Sequence, residues 1–235
     1  MTVSALVSGG KDSIYAAYLA DTQGWPVDEL LTLRPADPES MMFHTPNLDL
    51  VALQAEAWGK AHRSVAVAKP GGEPAELAAL ERALAGTRGP IVTGAIASSY
   101  QWSRLLRVAD RVGRRLYAPL WRKAAGRVVR EELSAGLEVL LVQLAAEPLP
   151  LGWIGGQLTV DRLEELERTA TAVRAVNVAG EGGEYETLVV DAPFFRARLE
   201  LDRSRTVADA ATARLDVSSA HLKRKREAAA AGAVP

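Results

Sequence analysis

Ser8-Gly9-Gly10-Lys11-Asp12-Ser13 stands where an apolar run ends and a helical pattern begins. The run Val3-Ser4-Ala5-Leu6-Val7 reads as a short buried strand, and Ile14, Ala17, Tyr18 and Leu19 recur at helical spacing after it. A strand, a glycine turn and a helix form the junction at which α/β proteins place phosphate. Gly9 and Gly10 let the backbone turn sharply and approach a ligand, and the first N–H groups of the helix point at whatever fills the turn. Lys11 brings a positive charge, and Ser8 and Ser13 bring hydroxyl donors for phosphate oxygens. A lysine in that place is expected to matter for turnover and not for folding.

The turn is not a Walker A loop, whose pattern is G-x-x-x-x-G-K followed by Ser or Thr. Ala5 and Asp12 occupy the positions of the missing glycine and hydroxyl residue. A carboxylate beside a phosphate repels it unless a cation lies between them, so Asp12 makes Mg²⁺ the expected metal.

The 235 residues can form one large domain or two modest ones, and either can bury a core. With 28 basic and 29 acidic residues, no global charge draws the chain to nucleic acid or to a membrane surface. The absence of cysteine excludes a disulfide scaffold, a thiolate zinc site and a cysteine nucleophile, and suits a reducing compartment. No apolar run approaches the roughly 20 residues of a membrane span, and the N-terminus lacks the pattern of a secretion signal. The expected location is cytoplasmic.

Downstream, the order of strand and helix repeats. Glu29 to Leu33 reads as a second strand, followed by a proline-rich loop that carries Met41, Met42, Phe43 and His44. Asn47 is expected to cap a helix whose Leu48, Val51, Ala55 and Trp58 form an apolar stripe. Ser64 to Ala68 reads as a third strand, Pro74 to Leu84 as a helix ended by Gly86, and Pro90 to Gly94 as a fourth strand. That strand leads through Gly94 into a second strand-glycine-helix junction, with Tyr100, Gln101 and Arg104 early in its helix. Such alternation predicts an α/β, doubly wound parallel sheet, in which ligands bind outside the carboxyl ends of strands.

After Tyr117 the pattern changes. A helix to Ser134, a strand from Leu137 to Leu144, a helix opened by Thr159 with Val160, Leu163, Leu166, Ala170 and Val173 on its apolar face, and three further strands predict a second, smaller α+β domain. The expected boundaries are 1–117, 118–222 and a frayed basic and alanine-rich tail over 223–235.

Gly180-Glu181-Gly182-Gly183-Glu184-Tyr185-Glu186-Thr187 is the most unusual stretch of this second half, with three carboxylates and an aromatic among three glycines. That composition suits neither a core nor a short hairpin turn. If Glu184 to Thr187 begin a strand, Glu184 and Glu186 share one face and Tyr185 the other, with Glu181 free in the turn.

The glycine turn near the N-terminus resembles the pyrophosphate loop (PP-loop) of the N-type ATP pyrophosphatases. The remaining blocks narrow the likeness. Met42-x-His44-Thr45, Gly94-Ala95-Ile96-x-Ser98-x-Tyr100-Gln101-x-x-Arg104, Pro119-Leu120-Trp121, and Gly180 to Thr187 followed by Asp191-x-Pro193-Phe194 resemble the diphthine-ammonia ligase (diphthamide synthase) family. The blocks run in family order across most of the chain. Two positions depart from the family pattern: Leu106 stands where a glutamate is usual, and the stretch ending in Ala125 lacks a glutamine.

The resemblance implies a Rossmann-like first domain of the adenine nucleotide alpha hydrolase type that binds ATP, and a second domain that binds substrate. It implies amidation of diphthine on elongation factor 2 with free ammonium, through an acyl-adenylate, with ATP and Mg²⁺ as cofactors. Ser8, Gly9, Gly10, Lys11, Asp12, Ser13 and Gly94 would hold the nucleotide, with Asp12 also on the metal. His44, Tyr100, Gln101, Arg104, Glu181, Gly182, Gly183, Glu184, Tyr185 and Glu186 would meet the substrates. Lys11, Asp12, Glu184 and Glu186 would carry the chemistry. Alternatives are adenylation of a tRNA base or of another small carboxylate, and an ATP sensor without turnover. A homo-oligomer is left open, and neither direct nucleic-acid binding nor membrane binding is expected.

Overall fold

A computed structural model describes residues 2–35, 47–69, 71–173, 176–207 and 212–225. His44 and the loop around it lie outside the described residues. The first half alternates β1 (Val3–Leu6), α1 (Lys11–Thr22), β2 (Val27–Arg34), α2 (Val51–Trp58), β3 (Ala61–Ala66), α3 (Glu73–Ala85), β4 (Ile91–Val92), α4 (Ser99–Arg111) and β5 (Leu116–Tyr117). Its five strands are parallel and lie in the order β3-β2-β1-β4-β5. β5 has only two residues, and with Arg114 and Arg115 before it, it has neither the apolar run nor the following glycine that marks β4.

Successive side chains of a strand point to opposite faces, and the core is divided accordingly. Ala5 and Leu30 join one cluster with Ile14 and Ala17 of α1 and Val51 and Ala55 of α2. Leu31 and Leu33 face the other way, onto Leu80 and Leu84 of α3 and Leu105 and Val108 of α4. The sheet is therefore covered on both faces, as a doubly wound sheet requires.

The second half contributes α5 (Ala125–Ser134), β6 (Glu138–Ala145), α6 (Val160–Ala172), β7 (Tyr185–Asp191), β8 (Ala197–Val207) and β9 (Thr212–Arg224). Its four strands form an antiparallel sheet in the order β7-β6-β9-β8. Val139, Leu144 and Val189 of this sheet belong to the same cluster as Ala5 and Val92, so one core runs between the two sheets. Phe194 is wedged at the junction, stacked on Tyr18 of α1 at 4.5 Å between ring centres and packed against Trp58 of α2 at 4.5 Å. Aromatic contacts of this kind contribute about 0.5–1.5 kcal/mol each beyond the area they bury.

Three local expectations are corrected. Asn47 adopts a left-handed conformation with φ 61°, and its side chain caps nothing; it opens a short 3₁₀ turn, Leu48–Leu50, that runs into α2. Val160 and Val173 are 47% and 39% exposed, because they flank α6 at its ends, where the apolar face has turned away; Leu163 and Leu166 carry the burial. The tail does not begin at Lys223, since Lys223 and Arg224 pair with Arg198 and Ala197 in the β8–β9 ladder.

Candidate active site

The strand order reverses between β1 and β4, so the loops that leave their carboxyl ends diverge around a crevice. The first loop is the glycine turn. Gly9 sits at φ 85°, a region that a side chain disfavours. Ser13 Oγ accepts a 3.2 Å bond from the Ser8 N–H and donates at 3.0 Å to the Gly10 carbonyl, so this hydroxyl shapes the turn itself. The second loop presses on the first. A Cβ on Gly94 would lie 2.7 Å from the Asp12 carbonyl carbon and the Ser13 nitrogen, which is why only glycine fits there.

The antiparallel sheet closes onto the same turn. The Lys11 N–H donates to Thr187 Oγ1 at 3.2 Å, and the Val189 N–H donates to the Gly9 carbonyl at 3.0 Å. Gln54 of α2, fully buried, ties them together by donating from Nε2 to the Gly9 carbonyl at 2.9 Å and to the Val189 carbonyl at 2.7 Å. One cavity results. Ser8, Gly10, Asp12 and Ser13 form one wall and Thr93, Gly94 and Gln101 another. Glu181, Tyr185, Glu186 and Thr187 face them, and Leu31, Leu33, Leu48 and Leu105 supply an apolar patch.

Lys11 does not lie in solvent at the mouth. Its side chain is 1% exposed, and its ammonium donates to both Asp12 oxygens at 2.8 and 2.9 Å and to the Ala179 carbonyl at 2.7 Å. The ring centre of Tyr185 lies 5.6 Å away. Burial on its own would lower the lysine pKa; Asp12, Tyr185 and Glu132 outweigh it and hold the group above the usual lysine value. Glu132, on α5, is completely buried with Oε2 4.0 Å from the Lys11 ammonium, and among the described residues neither of its oxygens has a hydrogen-bond partner. Burial, and then the nearby Asp12 carboxylate, push the Glu132 carboxyl well above the usual range. The Lys11 side chain is thus anchored in the packing between the two halves of the chain.

The acidic segment is divided between two tasks. Glu181 is not free in its turn: Oε1 accepts from the Ile96 N–H at 3.0 Å and the Ala97 N–H at 2.9 Å, joining this segment to the loop after β4. Glu184 lies outside the cavity lining, folded back to accept from the Asn177 and Gly182 N–H groups at 2.9 Å each. The strand begins at Tyr185, and Tyr185 and Glu186 both line the cavity. Tyr185 is buried, and its hydroxyl donates to the Val178 carbonyl at 2.6 Å. Gly182 and Gly183, like Gly9, are not among the cavity-lining residues.

Tyr100 and Arg104 are not brought to the cavity either. The Arg104 guanidinium lies 3.4 Å from the Tyr100 ring centre, and both side chains bond Glu73 Oε2, at 2.6 Å from Arg104 and 2.9 Å from Tyr100. The two bonds hold the Glu73 carboxyl below the usual range. This cluster braces α4 against α3. Leu106 is exposed on α4 and Ala125 opens α5, so neither departure from the family pattern touches the cavity wall.

Gln54 and Glu132 are absent from the reading of the sequence, although each left a signal. Gln54 interrupts the stripe of Val51, Ala55 and Trp58, and Glu132 shares a helix face with Val128 and Val129. A polar residue at an apolar position of a helix is worth pursuing.

The cavity suits a nucleotide by its glycine turn and its apolar patch. It sets three carboxylates, Asp12, Glu181 and Glu186, against one ammonium, so a polyphosphate there requires a cation. Among the described residues no group of three or more acidic or imidazole ligands could hold a metal alone. Mg²⁺ needs none, since it takes one or two carboxylates and completes its shell with phosphate oxygens and water. Asp12 fits that demand.

The diphthamide synthase N-terminal domain family matches residues 1–116, and the diphthamide synthase C-terminal domain family matches residues 126–222. Similar proteins include the diphthine–ammonia ligase of Homo sapiens, 32% identical, with 91% of this chain and 87% of that protein covered. The enzyme of the same name from Rattus norvegicus is 30% identical, with 96% and 94% covered, and that of Bos taurus is 31% identical, with 91% and 87% covered.

Proposed function

The chain belongs to the diphthamide synthase family and is a ligase that forms a C–N bond, and from that premise we propose that it amidates diphthine on elongation factor 2, using ATP and ammonium. The observation that carries this reading is the meeting of the two motifs in one cavity, through the bond from the Lys11 N–H to Thr187, 176 residues away. An ATP-binding sensor would not need an acidic segment docked on its phosphate loop.

A carboxylate resists attack by an amine until one oxygen becomes part of a leaving group. In this reading a carboxylate oxygen of diphthine attacks the α-phosphorus, the bond to the β-phosphate oxygen breaks, and pyrophosphate leaves. The glycine turn and the first turn of α1 receive the phosphates, and the leucine patch receives the adenine. Bound Mg²⁺ would supply countercharge to the phosphates, held on the protein side by Asp12. Ammonia then attacks the acyl carbon of the adenylate, AMP leaves, and a carboxylate accepts the proton that ammonium gives up. Glu186, on the cavity wall, is the carboxylate proposed for that task. The trimethylammonium of diphthine suits an acidic wall. A cytoplasmic location belongs to the same reading; among the described residues no helix is long and apolar enough to cross a membrane.

The test is chromatography of the spent reaction. With diphthine-bearing elongation factor 2 but no ammonium, pyrophosphate should form in no more than a single turnover, and sustained release of AMP should require ammonium as well. ADP as the main product, or AMP formed equally well without diphthine, would reject the proposal.

A further inference from the structure

Glu132 is the most unfavourably placed polar side chain near the site. It is completely buried, and among the described residues neither carboxyl oxygen has a hydrogen-bond partner. It sits on the face of α5 that carries Val128 and Val129, where leucine or methionine would fill the same space without stranding polar atoms. A stranded polar group in a folded core calls for a reason beyond packing.

Its position supplies one. The Lys11 ammonium has three protons to place, and Asp12 and the Ala179 carbonyl are its hydrogen-bonded acceptors. Asp12 is the partner that can leave: its side chain is 27% exposed on the cavity wall, whereas Glu132 is 0% exposed and lies behind Lys11 at 4.0 Å. If Asp12 turned to the cation of a bound nucleotide, a fully buried ammonium would lose its main counter-charge unless another acceptor stood within a small movement.

We propose that Glu132 is a positioning residue, the reserve acceptor that takes the Lys11 ammonium when Asp12 turns from it to the cation carried by the nucleotide. Glu132 thereby keeps Lys11 fixed beneath the glycine turn during the reaction, at the expense of fold stability in the nucleotide-free protein. This rests on the nucleotide site proposed above and adds to it a residue of the second half of the chain that acts through Lys11.

The experiment uses the full chain as wild type, Glu132→Gln and Glu132→Leu, with melting measured in the absence of nucleotide and Mg–ATP affinity measured by titration. Without nucleotide, Glu132→Leu should melt at or above the wild type, because a stranded buried carboxyl is gone, and Glu132→Gln should melt close to it, because its carboxamide is stranded in turn. Mg–ATP affinity should fall about tenfold or more in Glu132→Leu, which has no acceptor, and less in Glu132→Gln, which retains a carbonyl oxygen. Unchanged affinity in both variants would overturn the proposal, as would equal losses in the two. A clear fall in melting without nucleotide would also overturn it, by making Glu132 a structural partner. A wild type that binds Mg–ATP but does not amidate diphthine rejects the proposed function and leaves this inference to be decided by the affinities. A wild type that does not bind Mg–ATP rejects both.

Discussion

The Lys11 ammonium donates to the Ala179 carbonyl at 2.7 Å, joining the first turn of α1 to the segment that precedes the acidic motif, 168 residues away. A residue of the glycine turn is thus also a fastening between the two halves of the chain.

Lys11→Met should for that reason lower both turnover and stability. Removing one partner of a buried pair strands Asp12 and the Ala179 carbonyl. Since Asp12 is partly exposed, the loss should be about 2–3 kcal/mol, or roughly 4–12 °C in melting. Turnover should fall on the order of 10² to 10³-fold if the ammonium serves the developing charge. Calorimetry beside an AMP assay checks both. Unchanged melting would show that the buried contacts contribute nothing net.

Glu184 and Glu186 should separate under substitution. Glu184 holds the backbone of its own loop, so Glu184→Gln should destabilise by about 1–2 kcal/mol and leave the ammonium dependence alone. Glu186→Gln should raise the ammonium concentration needed for half-maximal rate about tenfold, with the adenylate still forming. A shifted ammonium profile in Glu184→Gln, with none in Glu186→Gln, would reverse the assignment.

His62, which is not among the cavity-lining residues, gives a pH signature of its own. It pairs with Leu30 in the β2–β3 ladder, with Nε2 3.1 Å from Thr32 Oγ1. Burial, and then the Arg34 charge, lower its pKa below the ordinary 6.5. The unfolded chain therefore binds a proton more readily than the folded one, and the stability tied to neutral His62 is present above about pH 6.5 and lost as pH falls through the folded pKa. Wild type should lose melting temperature relative to His62→Gln between pH 7 and pH 5.5. Parallel melting curves across that range would contradict the shift.

The order of elements, the glycine junctions after β1 and β4 and the change of architecture after Tyr117 were legible in the sequence because each is local. Strand and helix periods, glycine at a sharp turn and a Thr159 cap depend on residues within a few positions of one another. β5, two residues behind Arg114 and Arg115, had no apolar run or glycine turn to mark it, and the lengths of β8 and β9 were set by each other, since each continues only while its partner does.

Within the site, composition alone marks out the glycine turn and the acidic segment, because both are unlike core or plain loop. Which of their atoms meet depends on packing between distant parts of the chain. Lys11 turns inward to Ala179, Gln54 bonds Val189 across 135 residues, Glu132 comes to rest beside Lys11, and Tyr100 and Arg104 turn to Glu73. The reason is physical. A side chain's face on its own helix follows from backbone geometry, but a hydrogen bond over a hundred residues away exists only after two sheets have packed on one core. That packing fixes burial, and burial fixes which of several similar carboxylates faces the cavity and which is folded away.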